Sequence, residues 1–324
     1  MLILRQFLRV FFISAVFLSS GCESRGLRRE TRILMGTYVE IIYLNPRAPK
    51  IAFEEISRVE GLLSKYRPDS EISLLNADGK EKVSAEVYAL LFRCADFSRL
   101  SSGAFDITVE PLVRLWGFRD RKFNVPSAGR IAGVLPSIGS EKIVFHPDDN
   151  MIEFSRAGMS VDLGGAGKGY ALDCAAGKLA KAGIKDFLLN AGGQIRCAGR
   201  KPGGEPWRIA IKDPRGRGVL KEIQLEEGSI ATSGDYEQFF MAGEESGSDT
   251  GRAEKRYSHI IDPRNGYPAD SGIISVTVFA PDGLTADVLS TAVYVLGKER
   301  GEALLAKFPG CRIVDMEEIP CVRE

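Results

Sequence analysis

Val161-Asp-Leu-Gly-Gly-Ala-Gly-Lys-Gly-Tyr-Ala-Leu-Asp173 is the stretch around which the chain is organised. Three glycines and one alanine stand between Asp162 and Lys168, and a run of helical character over residues 170–182 follows at once. Glycine lets a backbone approach a ligand closely, and the first turn of a helix carries N–H groups without intrahelical partners. With Lys168 alongside, the junction predicts an anion site. The plainer alternative is that its glycines serve packing alone. A Walker loop is excluded, because the Gly-x-x-x-x-Gly-Lys-Ser/Thr spacing is absent, and no clean Gly-x-Gly-x-x-Gly follows a strand. Neither of those alternating α/β folds is supported here, so the architecture has to be read from the flanks.

Upstream, residues 33–43 read as a strand and residues 50–63 as a helix with apolar side chains at helical spacing. Pro68 breaks that helix, with Asp69 or Ser70 able to cap a short turn, and Ser84 caps a second helix reaching about residue 101. Residues 103–109 read as extended, 111–117 as a helical turn and 126–139 as a short helix; 142–145 and 151–154 form a hairpin. Downstream, strands are expected at 187–189, 207–211, 218–225, 229–232 and 273–279, and helices at 286–296 and 301–308. The polar segment 244–254 reads as a solvated insertion. Strands and helices come in blocks with hairpins and without internal repeats. That pattern predicts an α+β fold with mixed or antiparallel sheets and packed helices.

The amino terminus has a separate logic. Arg5 and Arg9 precede an apolar run over residues 10–18, and small residues lead to Gly21-Cys22. Residues 1–21 are therefore read as a signal peptide, and Cys22 as a bacterial lipoprotein processing site, although Leu18 lies one place further from the cysteine than is usual. Ordinary cleavage beside an incidental cysteine is the alternative. Residues 22–32 read as a tether and 33–324 as the folded domain, which places the protein on the periplasmic side of a bacterial membrane, held by a lipid anchor. Lys+Arg and Asp+Glu number 43 each, so the balance gives no reason to expect a nucleic-acid partner. With His146 and His259 the only histidines, a multi-histidine zinc site is excluded and any metal must be held largely by oxygens. Cys311 and Cys321 are close enough in sequence for a disulfide that the sequence does not establish.

Three further stretches of polar character join the first: residues 231–237 and 257–268, both glycine-bearing, and 284–292. In the last, Asp287 and Thr291 are four apart on a predicted helix, so both oxygens face one side. A carboxylate, a hydroxyl and backbone carbonyls suit Mg²⁺. Alternatively, Asp287 merely complements the helix dipole from the first turn. His259 invites a catalytic triad with Ser233 or Ser258, but no Gly-x-Ser-x-Gly elbow is present and a hydrogen-bonding role fits better. Met35 and Tyr66 can flank a flat ring, or pack in a core.

Taken in order, Met35-Gly-Thr37, Gly103-Ala-Phe-Asp106, the opening stretch, Asn190-Ala-Gly-Gly193, Ala231-Thr-Ser-Gly-Asp235, Ser258-His-Ile-Ile-Asp-Pro263 and Thr285-Ala-Asp-Val-Leu-Ser-Thr291 resemble the ApbE family of FAD:protein FMN transferases. The resemblance covers nearly all of the chain after the tether. It implies Mg²⁺-dependent transfer of FMN from FAD, the substrate, to a threonine hydroxyl of a target flavoprotein, with release of AMP. Such targets include membrane redox-pump subunits with a Ser-Gly-Ala-Thr-type motif. By the resemblance, Asp287, Thr291 and the carbonyl of Gly165 bind Mg²⁺. Met35, Tyr66, Ala104, Phe105, Asp106, Asp162, Lys168 and Ile261 line the FAD site, with His259 near the phosphates. Asp162 and His259 are both candidates for the group that takes the threonine proton. The chain departs from the pattern at Gly165, where alanine or serine is frequent, and at Gln194, where an acidic residue is more usual. Two alternatives stay open: an FAD pyrophosphatase yielding FMN and AMP, and a flavin-binding lipoprotein without catalysis.

Overall fold

The computed structural model describes residues 26–216, 218–243 and 254–319. The signal peptide, Cys22, Cys321 and all but the last residue of the insertion read at 244–254 lie outside the described residues.

The chain begins with β1 (Arg28–Leu34), β2 (Thr37–Tyr43), α1 (Ala48–Leu63), α2 (Glu71–Asp78), β3 (Lys80–Lys82) and α3 (Ala85–Leu100). There follow α4 (Glu110–Leu115), α5 (Ala128–Val134), β4 (Ile143–His146), β5 (Met151–Phe154) and α6 (Gly167–Lys181). Next come β6 (Phe187–Ala191), β7 (Gln194–Ala198), β8 (Trp207–Lys212), β9 (Val219–Leu225) and β10 (Gly228–Gly234). The last elements are β11 (Phe239–Gly243), β12 (Glu254–Ser258), β13 (Ile273–Ala280), α7 (Gly283–Leu296), α8 (Lys298–Leu305) and β14 (Arg312–Glu318).

One seven-stranded sheet in the order β1-β2-β6-β7-β10-β13-β14 forms the frame, and every neighbouring pair in it is antiparallel. The expected α+β architecture with antiparallel sheets is the one that forms. Alternation along the strands sends Val39, Ile41, Leu189, Val276 and Val278 to one face, where α1, α6 and α7 pack. Ile42, Leu188, Cys197 and Ile230 face the other way and are covered by Trp207, Ile209 and Leu225 of the β8–β9 hairpin. A third apolar cluster gathers Leu112, Trp116, Phe118 and Ile131 beside the β11–β12 ribbon. Among the described residues, no helix is long and apolar enough to cross a membrane.

The caps follow the sequence. Ser70 and Ser84 accept the Ser73 and Val87 N–H groups at 3.0 and 3.2 Å, starting α2 and α3 as anticipated. At α7 the cap is Asp282, which accepts the Thr285 N–H at 2.9 Å, while Asp173 of α6 accepts from Gly283 and Leu284 at 2.7 and 2.9 Å. The orphan donors of α7 are thus satisfied before Asp287 is reached, so Asp287 is not a capping residue. Where α6 and α7 meet, the chain has no room for side chains. A Cβ at Gly169 would lie 2.1 Å from Gly283 O, and one at Gly283 would lie 2.4 Å from Gly169 O.

Several local expectations change. Residues 33–43 are a hairpin rather than one strand, turning at Met35 (φ 53°) and Gly36 (φ 68°). The polar segment ending at Arg32 is strand from Arg28 onward; it is an edge strand with most side chains in solvent, so its composition is that of a tether. Residues 103–109 are a tight turn followed by a single 3₁₀ turn at Ile107–Val109, with Asp106 as its cap. Helix α7 starts at Gly283, three residues before the predicted start.

Candidate functional site

A cleft of about 800 Å³ opens where the start of α6, the middle of α7, the 103–109 turn and the base of the β11–β12 ribbon converge. Met35, Tyr66, Ala104, Phe105, Asp106, Asp162, Gly165, Lys168, His259, Ile261, Asp287 and Thr291 all line it. Residues spread over most of the chain are therefore brought to one place by the sheet and by the contact of α6 with α7.

The floor is built from two helices. Asp287 is 5 % exposed, and its Oδ2 accepts the Gly169 N–H at 2.9 Å. Oδ1 has no hydrogen-bond partner among the described residues. One turn on, Thr291 Oγ1 bonds the Asp287 carbonyl at 3.2 Å. The 162–165 turn comes down on Thr291: a Cβ at Gly165 would stand 3.1 Å from Thr291 Oγ1 and 3.4 Å from a Phe105 ring carbon. Burial pushes the Asp287 carboxyl pKa up, with Lys168 and the Gly169 N–H opposing. A buried carboxylate with a spare oxygen, a hydroxyl and a nearby main chain is a set that a hard divalent cation completes. No group of three His, Cys, Asp or Glu suited to a metal exists among the described residues. Such an ion would thus be held by one carboxylate and neutral oxygens, leaving positions for substrate phosphate and water, as Mg²⁺ prefers.

Lys168 is the cation that faces this carboxylate. Its pKa is raised chiefly by Asp287, against burial, with Glu237 and Asp162 adding. Its Nζ also donates to Gly164 O at 3.2 Å. The anion cradle is narrower than a bare helix start, because the Gly167 N–H goes to Leu163 O at 2.7 Å and the Gly169 N–H to Asp287. Lys168 carries most of the positive character. Glu237, at the rim, has its pKa raised by burial first, Lys168 opposing and Asp287 reinforcing. It lies within the 231–237 stretch but was not singled out from sequence.

His259 follows β12 directly. Its Nδ1 lies 3.1 Å from Gln238 O, a contact that requires the proton on Nδ1 and leaves Nε2 as an acceptor. Burial draws the ring pKa down to about 4, with Lys168 pushing the same way and the Gln238 carbonyl and Asp162 opposing. At neutral pH the ring is uncharged.

Asp162, the other base candidate, is already engaged. Oδ2 accepts from Lys65 Nζ at 2.8 Å and Oδ1 from the Gly164 N–H at 2.8 Å. Lys65 also donates to Glu110 at 2.5 Å, and Glu110, wholly buried, accepts from Arg119 at 2.9 Å. Burial works against the Lys65 charge, but Asp162 and Glu110 outweigh it and raise its pKa. Neither Lys65 nor Glu110 was legible as a site residue, because their partners are 45 and 97 residues apart in the chain.

Asp106 has a supporting place. Its carboxylate accepts from Ser98, Thr108 (N–H and hydroxyl) and Ser140 (N–H and hydroxyl) at 2.6–2.8 Å, so it fixes the wall of the cleft and has no lone pair in need of a ligand. Ala104, Phe105 and Ile261 are buried apolar wall. Tyr66 is 67 % exposed at the mouth, a flat ring open to a flat ligand, and the Met35 N–H is pinned to Glu60 at 2.9 Å. Gln194 Nε2 donates to Gly283 O at 3.2 Å, so this departure from an acidic residue ties β7 to the start of α7.

Comparison with known proteins gives one consistent outcome. Residues 35–314 match the model of the ApbE family. The FAD:protein FMN transferase of Vibrio cholerae is 34% identical over 309 residues, covering 90% of this chain and 88% of its own. That of Haemophilus influenzae is 32% identical over 298 residues, covering 84% and 83%. Among solved structures, the ApbE protein of Thermotoga maritima superposes with a TM-score of 0.79 at 34% identity, covering 90% of this chain and 96% of its own. The flavin transferase ApbE of Vibrio cholerae gives 0.77 at 30%, covering 91% and 95%.

Proposed function

We propose that this chain, which belongs to the ApbE family and is an FAD:protein FMN transferase, moves FMN from FAD onto a threonine hydroxyl with Mg²⁺ held at Asp287, Thr291 and the Gly165 carbonyl. The observation that carries this reading is the approach of Gly165 to Thr291, one helical turn from the buried Asp287 carboxylate, with Lys168 raised in pKa chiefly by that carboxylate.

When bound there, Mg²⁺ supplies charge neutralisation for the pyrophosphate. The residues do the rest. Lys168 holds the phosphates, and Phe105, Ile261 and Tyr66 offer apolar and aromatic surface to the flavin and adenine rings. The acceptor oxygen forms a bond to the FMN phosphorus as the bond to the AMP oxygen breaks, and AMP leaves with that electron pair. The hydroxyl proton goes to Nε2 of His259, which is neutral and unoccupied by the Gln238 contact. Asp162, committed to Lys65 and Gly164, is the weaker candidate for that proton and the better one for holding the turn.

We also propose that the signal peptide directs export and that Cys22 carries the lipid that places this cleft on the periplasmic membrane surface, where a membrane-bound acceptor with a Ser-Gly-Ala-Thr-type motif is within reach. The test is incubation with FAD, Mg²⁺ and an acceptor domain carrying that motif. In-gel flavin fluorescence on the acceptor is the expected result. Free FMN and AMP without labelling would mean a pyrophosphatase, and unchanged FAD a binding protein.

A further inference from the structure

Lys65 sits at the centre of a buried chain of charges that the established activity does not assign. It is 9 % exposed, bonds Glu110 on one side and Asp162 on the other, and lies between α1 and α2 on the cleft wall. Glu110 is wholly buried, and Arg119 and Arg114 add further cations at 2.9 and 3.7 Å. On its other side, Asp162 is held at both ends: its N–H donates to Ile107 O at 2.7 Å, and its Oδ1 takes the Gly164 N–H. The next residue, Gly165, is the one that meets Thr291.

We infer that Lys65, backed by Glu110, is a positioning residue: it fixes Asp162 and thereby sets where the Gly164–Gly165 turn stands against Asp287 and Thr291. The inference rests on the metal reading above and extends it to residues that touch neither metal nor phosphate. A carboxylate with one oxygen free can rotate about its χ2 bond; one clamped by an ammonium and a backbone N–H cannot do so without breaking a charge-assisted bond. A turn of consecutive glycines has little stiffness of its own. The register of the Gly165 carbonyl therefore depends on the Asp162 clamp, and the clamp depends on Lys65. Glu110 keeps Lys65 charged inside the protein, since two carboxylates outweigh its loss of solvation. Groups that orient a metal's ligands in this way change affinity or rate by about 10–100-fold when removed.

The test compares Lys65→Met, Lys65→Arg, Glu110→Gln and Asp162→Asn in the full chain. Two quantities are read: the Mg²⁺ concentration giving half-maximal transfer, and FAD affinity by flavin fluorescence quenching without turnover. Lys65→Met is expected to raise half-saturating Mg²⁺ about tenfold and to weaken FAD binding in step, with Lys65→Arg restoring both to within about twofold. Glu110→Gln, which leaves the Lys65–Asp162 bond in place, should shift them in the same direction by less, and serves if Lys65→Met does not fold. If Asp162→Asn shifts both quantities and Lys65→Met and Glu110→Gln shift neither, the positioning inference is overturned while the site reading stands. If Asp162→Asn also leaves both unchanged, the reading of the turn as part of the site fails with it. A fall in melting temperature with both ligand constants unchanged identifies a structural pair only, and overturns the inference too.

Discussion

Replacing Gly169 by alanine tests the packing that holds the two site helices together. The new Cβ would lie 2.1 Å from Gly283 O and 2.9 Å from Asp287 Cβ, where apolar contact is normally about 3.5 Å or more. Both neighbours belong to α7, a helix buried along nearly its whole length, so neither can move aside cheaply. Overpacking of this kind costs about 1–3 kcal/mol, and loss of the Gly169 N–H bond to a carboxylate costs a further 1.5–3 kcal/mol or so. Better helix propensity returns about 1 kcal/mol. The net is a destabilisation of about 1.5–5 kcal/mol, a fall of roughly 3–20 °C in melting temperature, with a higher Mg²⁺ requirement because Asp287 is displaced. Gly177→Ala is the control: it lies in the same helix, exposed, with nothing within 4 Å of its would-be Cβ. That variant should be stabilised by up to about 1 kcal/mol. Differential scanning calorimetry on the two variants decides the matter. If both shift the same way, or Gly169→Ala melts no lower than the parent, the close approach of α6 and α7 is not what sets the site.

Three other outcomes are expected. Asp287→Ala should abolish metal-dependent transfer to an acceptor domain, and normal turnover in that variant would sink the metal assignment. For His259, the folded pKa of about 4 lies below the unfolded value of about 6.5, so the fold favours the neutral ring. Its contribution to stability is therefore complete above about pH 6.5 and is lost as pH falls toward 4; melting curves from pH 7 to pH 4 should drop less steeply in His259→Asn, and the parent's transfer rate should show no ionisation near 6.5. Tyr66→Ala should weaken FAD binding in fluorescence titrations while changing stability by less than about 0.5 kcal/mol, because the ring is largely in solvent.

Helices with strong periodicity and hydroxyl caps were legible from sequence: α1, α3 and the Ser70 cap of α2 fall where spacing placed them. The elements that escaped are those whose composition reflects position in the sheet. Edge strand β1 looks like a tether because solvent faces most of it, and β11 and β12 flank a polar segment that masked their alternation. Asp287 and Thr291 could be paired by helical spacing, and the structure sets Gly165 against Thr291. Glu110 looks like any first-turn acid of a helix, and Lys65 like any lysine after a helix end. Only the approach of α1, α4 and the 162–165 turn makes one ion network of them. Asp106 illustrates the reverse case: a residue in a motif-bearing stretch whose carboxylate is consumed by its own chain.

The burial of α7 has a kinetic side. Thirteen of its fourteen residues are buried, with Thr291 the exception, so its amides can exchange with deuterium only through openings close to global unfolding. The mouth of the cleft is made instead from exposed loop residues such as Tyr66 and Arg121, of the kind that opens at small free energy. The cleft thus has a stiff floor and a pliant lip. Entry of a dinucleotide and departure of AMP are tasks for the lip, and can proceed on the fast timescale of loops. The geometry that the chemistry needs is stored in the part of the molecule that moves last.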